Sequence, residues 1–74
     1  MTLRELPAGR TAVIVKIEKS LRGRMNALGI VPGERITVLR VSPRGESILA
    51  EAAGGVFAFR REAADIIEVA VTIK

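Results

Sequence analysis

No cysteine and no histidine occur anywhere in the 74 residues. A chain this short buries only about 60% of its unfolded surface, and this one has no disulfide or zinc site to staple it. Its fold must rest on an apolar core built from short elements. The supply is sufficient, since 49% of residues are hydrophobic. No apolar run approaches the roughly 20 residues that would span a bilayer, and the Met1 end has no basic-then-apolar leader pattern. The expectation is one domain over residues 1–74 that does not span a membrane. Missing thiols also fit a reducing compartment, so a cytoplasmic location is expected.

The same absences narrow the chemistry. Without Cys or His there is no thiol nucleophile, no imidazole base and no thiolate or imidazole metal ligand. Nucleophile–base pairs at recognisable spacing and glycine-rich phosphate loops are missing too. An enzyme is not expected, and no cofactor is implied. For a direct metal site only eight scattered carboxylates remain. Of these, Glu62 and Asp65 share a surface at i and i+3, a pattern that reads as a solvated turn.

Pattern and punctuation divide the chain into strands. Thr11–Glu18 is β-branched and apolar, with Val13, Val15 and Ile17 alternating against Ala12, Ile14 and Lys16. Leu3 and Leu6 are placed under one end of the fold. In Ser20–Leu28 the period changes, with Leu21, Met25 and Leu28 at i, i+4 and i+7, which predicts a short helix. Ser20 is its expected N-cap and Gly29 its C′ residue. Val31-Pro32-Gly33 has the make-up of a type II turn, leading into a strand at Arg35–Val41. There Ile36 and Val38 lie on one face and Leu39 and Val41 on the other, which points to a bulge or corner that switches the inward face. Ser42–Glu46 is a turn cluster, Ser47–Ala52 a third strand, Gly54-Gly55 a hairpin turn, and Val56–Arg60 a fourth strand with Phe57 and Phe59 inward. One helical turn over Arg61–Asp65 precedes a last strand in which Ile67, Val69, Val71 and Ile73 alternate with Glu68, Ala70 and Thr72. The expected architecture is mainly β: a small SH3-like barrel of five strands, with a short helix after the first and a single helical turn before the last.

Formal net charge is +4, carried by nine arginines against three lysines, and arginine is the cation suited to bidentate carboxylate or phosphate contacts. Arg22, Arg24, Arg60 and Arg61 flank two turns and form the candidate interaction group. The helix face of Leu21, Met25 and Leu28 most simply caps the core. The alternative leaves Met25, Ile30 and Val31 partly exposed as an apolar patch beside the arginines, since so small a domain cannot bury a short helix and the loop after it completely. Gly29, Pro32 and Gly33 are structural, ending the helix and making the turn. With a patch at Met25–Ile30, monomer and dimer are both open.

Three stretches carry a resemblance. Leu21 to Gly33, reading LRGRMNALGIVPG, is similar to the FeoA family pattern of an arginine-bearing helix running into "leu-gly-leu-thr-pro-gly" before a strand. Leu6-Pro7-Ala8-Gly9 resembles that family's opening "leu-x-x-gly", and Phe57 to Ala64 resembles its "leu-ala-leu-arg-x-x-x-ala". The order and spacing agree over nearly the whole chain. Ser47 stands near where a second proline is common, and Phe57 and Phe59 replace aliphatic residues, which should alter core packing only. The same SH3-like module also occurs as the C-terminal domain of iron- and manganese-dependent repressors, where it is attached to a DNA-binding part that this chain lacks.

The resemblance implies an accessory role in ferrous iron transport, through protein–protein interaction with FeoB, the membrane permease with a cytosolic GTPase-like domain. Transition-metal ion binding is then a family-level attribute. The alternative is a small basic barrel that binds RNA or DNA. It is disfavoured because two Phe, with neither Tyr nor Trp, leave no platform on which bases can stack.

Overall fold

The computed structural model describes residues 1–71. After a 3₁₀ turn at Leu3–Glu5 come β1 (Thr11–Ile17), α1 (Lys19–Ala27), β2 (Arg35–Val41), β3 (Ser47–Ala52), β4 (Gly55–Arg60), α2 (Arg61–Ala64) and β5 (Ile67–Val71). All strand pairs are antiparallel, in one five-stranded sheet of order β4-β3-β2-β1-β5. The expected fold class holds, with the helix after the first strand and the single turn before the last. Thr72 and Ile73, assigned by pattern to the final strand, lie outside the described residues.

The core is entirely apolar among the described residues: no polar or charged residue is buried. Leu3 and Leu6 are fully enclosed beside Ile14, Ile36, Val38, Ile48 and Val69, while Leu21, Met25, Ile30 and Ala64 enter from the two helices and the loop after α1. A single core fed by every element is what a chain of this size without covalent staples requires.

Two bulges determine which side chains face inward. In β1 the register against β5 slips between Ile14 and Lys16. Ala12, Ile14 and Ile17 therefore all point inward, while Val15 is 51% exposed, so the face switch that strict alternation had missed lies in β1. The bulge expected in β2 is present, with register shifting between Val38 and Arg40. However, Leu39 and Val41 stay exposed beyond it, so the expected inward switch there is corrected.

The hairpin between β3 and β4 turns at Ala53-Gly54, not Gly54-Gly55. Ala52 pairs with Gly55, and both central residues have positive φ, 51° for Ala53 and 78° for Gly54. That is the left-handed pair of a type I′ turn, occupied at its first position by a residue with a Cβ. Ala53→Asn, which tolerates this conformation better, is expected to raise stability by about 0.5–1 kcal/mol. A higher urea midpoint at unchanged slope would confirm it, and an unchanged midpoint would contradict it.

Candidate functional site

α1 begins directly after β1, with Glu18 as its cap residue, so the cap predicted at Ser20 is two residues too late. Ser20 instead lies inside the helix and its hydroxyl donates to Glu18 Oε1 at 2.6 Å. At the other end Gly29 has φ +82°. Its N–H donates to Asn26 O at 3.0 Å, and the Ile30 N–H donates to Met25 O at 2.9 Å. This pair of bonds is the Schellman arrangement, in which the residue after the left-handed glycine folds back against the last helical turn.

That geometry decides the fate of the predicted apolar patch. Met25 is 6% and Ile30 0% exposed, so both belong to the core and not to the surface. The chain reversal at Gly29 places Ile30 where simple helical continuation had placed Leu28, and Leu28 is left 45% exposed. Only Val31, half-buried, matches the expectation of partial exposure. After it, Pro32-Gly33 forms the predicted type II turn: Gly33 has φ +96° and the Glu34 N–H donates to Val31 O at 3.0 Å. The turn is anchored to β1, since Gly33 N–H donates to Ile14 O at 2.8 Å and Ile14 N–H to Glu34 O at 2.9 Å.

α1 is flanked by two grooves. One, of about 400 Å³, runs between the helix and the Val31-Pro32 turn and is lined by Ile17, Arg22, Gly23, Asn26, Ile30 and Val31, among others. Lys19 also stands on it, so its rim is basic. Gly23 helps open this groove, since nothing lies within 4 Å of where its Cβ would be. The second, of about 420 Å³, lies between α1 and β4, with Leu21, Met25, Leu28, Phe57 and Phe59 along it and Arg24, Arg60 and Glu62 at its margins. Phe57 and Phe59 stand 6.5 Å apart with rings tilted at 49°. Phe59 is buried and Phe57 half-buried.

The structure thus divides the predicted residues. Arg24 and Arg60 come together on the second groove, Arg22 joins Ile30 and Val31 on the first, and Arg61 sits with Arg60 on a shallow surface beside Glu46, Ser47 and Glu62. Sequence reading missed Leu28, Phe57 and Ala63 as groove-lining residues. For Leu28 the signal was available, because a glycine at C′ sends the following apolar residue inward in place of the last helical one.

Both grooves combine apolar side chains with arginines at their margins, a combination suited to recognition. Among the described residues the ion pairs are Met1–Glu68 and Arg4–Asp65, both exposed and both at 3.4 Å. The groove arginines are therefore not held by carboxylates of this chain within the described residues. Glu62 and Asp65 do not act together: Asp65 pairs with Arg4, while Glu62 faces the second groove. Among the described residues no three His, Cys, Asp or Glu side chains gather into a group that could hold a metal ion. No described helix is long and apolar enough to cross a membrane.

The chain matches the model of the FeoA domain over residues 1–71. No curated protein sequence matches it significantly. Among solved structures, the FeoA protein of Chlorobium tepidum superposes with a TM-score of 0.89 at 35% identity, covering 99% of this chain and 71% of that one. The FeoA of Stenotrophomonas maltophilia in complex with zinc, described as a prokaryotic SH3 domain protein and candidate activating factor of ferrous iron transport, gives 0.82 at 30% identity, covering 95% and 89%. A manganese-dependent transcriptional repressor gives 0.87 at 19% identity, covering 97% of this chain and 41% of that one. The last likeness is one of fold alone.

Proposed function

The chain belongs to the FeoA family, and from that premise we propose that it is a non-enzymatic accessory protein of ferrous iron transport that binds the cytosolic part of an FeoB-type permease. The observation that carries this reading is α1 itself: a helix flanked by two apolar grooves whose rims hold arginines not paired within the described residues. Such a surface is suited to an acidic protein partner, with apolar contact supplying affinity and guanidinium groups supplying orientation. Arg22 and Val31 make contacts on one side of the helix, and Arg24, Arg60 and Arg61 on the other. Met25 and Ile30 act from beneath by shaping the groove floors, while Gly29, Pro32 and Gly33 hold the loop that forms one wall.

The test is titration of the purified protein with the cytosolic GTPase-containing portion of an FeoB, beside a generic RNA, across a salt series. Saturable binding to FeoB is expected, weakened about tenfold or more in Arg22→Glu/Val31→Ser with the thermal midpoint little changed. RNA binding is expected to be weak and to fall steeply with salt through counterion release. Tight RNA binding without FeoB binding would assign the chain to the nucleic-acid-binding small barrels instead.

A further inference from the structure

The fold treats the two edges of its sheet differently. Along β5 the outer edge is covered by the start of the chain: Val69 N–H donates to Met1 O at 2.7 Å, and Thr2 forms a bridge with Glu68. At the other end of the sheet, β4 has no strand on its outer side among the described residues. The phase of its ladder is set by the Arg61 N–H, which donates to Glu46 O at 2.9 Å. Counting back through Phe59 opposite Ile48 and Phe57 opposite Ala50, these residues exchange backbone bonds with β3. The alternate N–H and C=O groups of Val56, Ala58 and Arg60 then point away from the sheet. An unpaired row of this kind is a template for a further strand, and proteins usually blunt it with proline, lysine or a cover. β4 contains neither residue.

Apolar side chains flank this edge on both faces, with Glu51 opposite Val56 and Ser47 opposite Arg60 also on the outer one. On the inner side lies the groove against α1, with Leu21, Met25, Phe57 and Phe59. On the outer side Leu49 and Val56 are 38% and 55% exposed, with Leu49 directly opposite Ala58. Side chains of an added strand alternate, so one set would enter the groove and the other would cover Leu49 and Val56. The charges select the occupant. Arg24 and Arg60 stand at the groove with Glu62 the one carboxylate there, and Arg61 is adjacent. A second copy of β4 would bring a second set of these arginines to the same seam, which like-charge repulsion opposes, whereas carboxylates on an incoming segment would pair with them.

We infer that the outer edge of β4 is a strand-addition site for an extended, acidic peptide segment of a partner protein, seated between β4 and α1. This rests on the reading of the chain as a binding module, but not on the identity of its partner. The probe is a short synthetic peptide of alternating valine and glutamate, capped at both ends, with a valine–lysine counterpart. Both are titrated into the labelled full chain and followed by NMR and amide hydrogen exchange. In the free protein the amides of Val56, Ala58 and Arg60 are expected to exchange faster than those of Phe57 and Phe59. The acidic peptide should slow them by about tenfold or more and shift the signals of Leu21 and Leu28, while the basic peptide does neither. Ala58→Pro removes one outward donor without touching the ladder to β3 and is expected to weaken peptide binding about tenfold while the thermal midpoint stays close to that of the parent.

Outward amides already protected in dilute free protein would overturn the inference. So would protection that grows with protein concentration alone, peptide shifts confined to Gly23 and Val31, or undiminished binding by Ala58→Pro. Peptide binding without FeoB binding would overturn the partner named above and leave this site standing. FeoB binding with no peptide binding, and no effect of Ala58→Pro on FeoB binding, would overturn this site and leave the partner standing.

Discussion

Ile30→Ala is expected to lower the free energy of unfolding by about 2–5 kcal/mol, the range for truncating a fully buried aliphatic side chain. Ile30 has no exposed surface and is held inward by the bond from its N–H to Met25 O. Residues of α1, the Val31-Pro32 turn and β1 surround it. At roughly 0.05–0.15 kcal/mol per residue, a chain of this length has a total stability of about 4–11 kcal/mol, so that loss is a large share of it. The urea midpoint should fall sharply at constant slope. Binding measured at low temperature, where the variant is still folded, should weaken only modestly, because Ile30 shapes the groove floor from beneath and is itself fully buried. A variant with parental stability that no longer binds FeoB would show that Ile30 is a contact residue after all, and that the Schellman closure is not what holds the loop.

Gly29→Val should cost nearly as much, about 1–3 kcal/mol, from a different source. At φ +82° a β-branched side chain is forced into a conformation L-residues rarely adopt, and its Cβ would meet the Ala53 Cβ at 3.4 Å. That space accommodates a methyl group, so the backbone conformation is the larger penalty. Gly29→Asn, which accepts left-handed φ, should lose much less. Equal thermal midpoints for the Val and Asn variants would contradict this account. If the strained Val variant shifts the loop without unfolding the chain, Ile30 and Val31 move with it, and the groove between α1 and Pro32 should lose affinity along with stability.

What could be read in advance was local. The strands Arg35–Val41 and Ser47–Ala52 coincide with their expected bounds because turn residues punctuate them on both sides. Gly33 reads correctly because proline followed by glycine admits few turns. Several misplaced features depend on how the strands pair. Val13-Ile14-Val15 is apolar throughout, so nothing local reveals that β5 forces a bulge there. Ala53 gives no turn signal, and its positive φ is imposed by the register of β3 on β4. The arginines of the candidate site were legible as residue types. The groove that Arg24 and Arg60 share was not, because it exists only once the sheet order brings β4 near α1.

The sheet order also fixes how the molecule must assemble in time. β2, β3 and β4 are joined by tight local turns, but β1 is completed only when β5 returns to it, with Ala12 opposite Val71 across most of the described chain. Closing so long a loop yields few contacts until it is nearly done, so the meander is expected to form early and the β1–β5 seam late, with refolding on the millisecond-to-second scale typical of small barrels. During that interval β1 and β4 are both bare edges, at opposite sides of a half-built sheet. Refolding yield should therefore fall as protein concentration rises, and a peptide that occupies β4 from the outset should act as a folding chaperone for the very chain it binds.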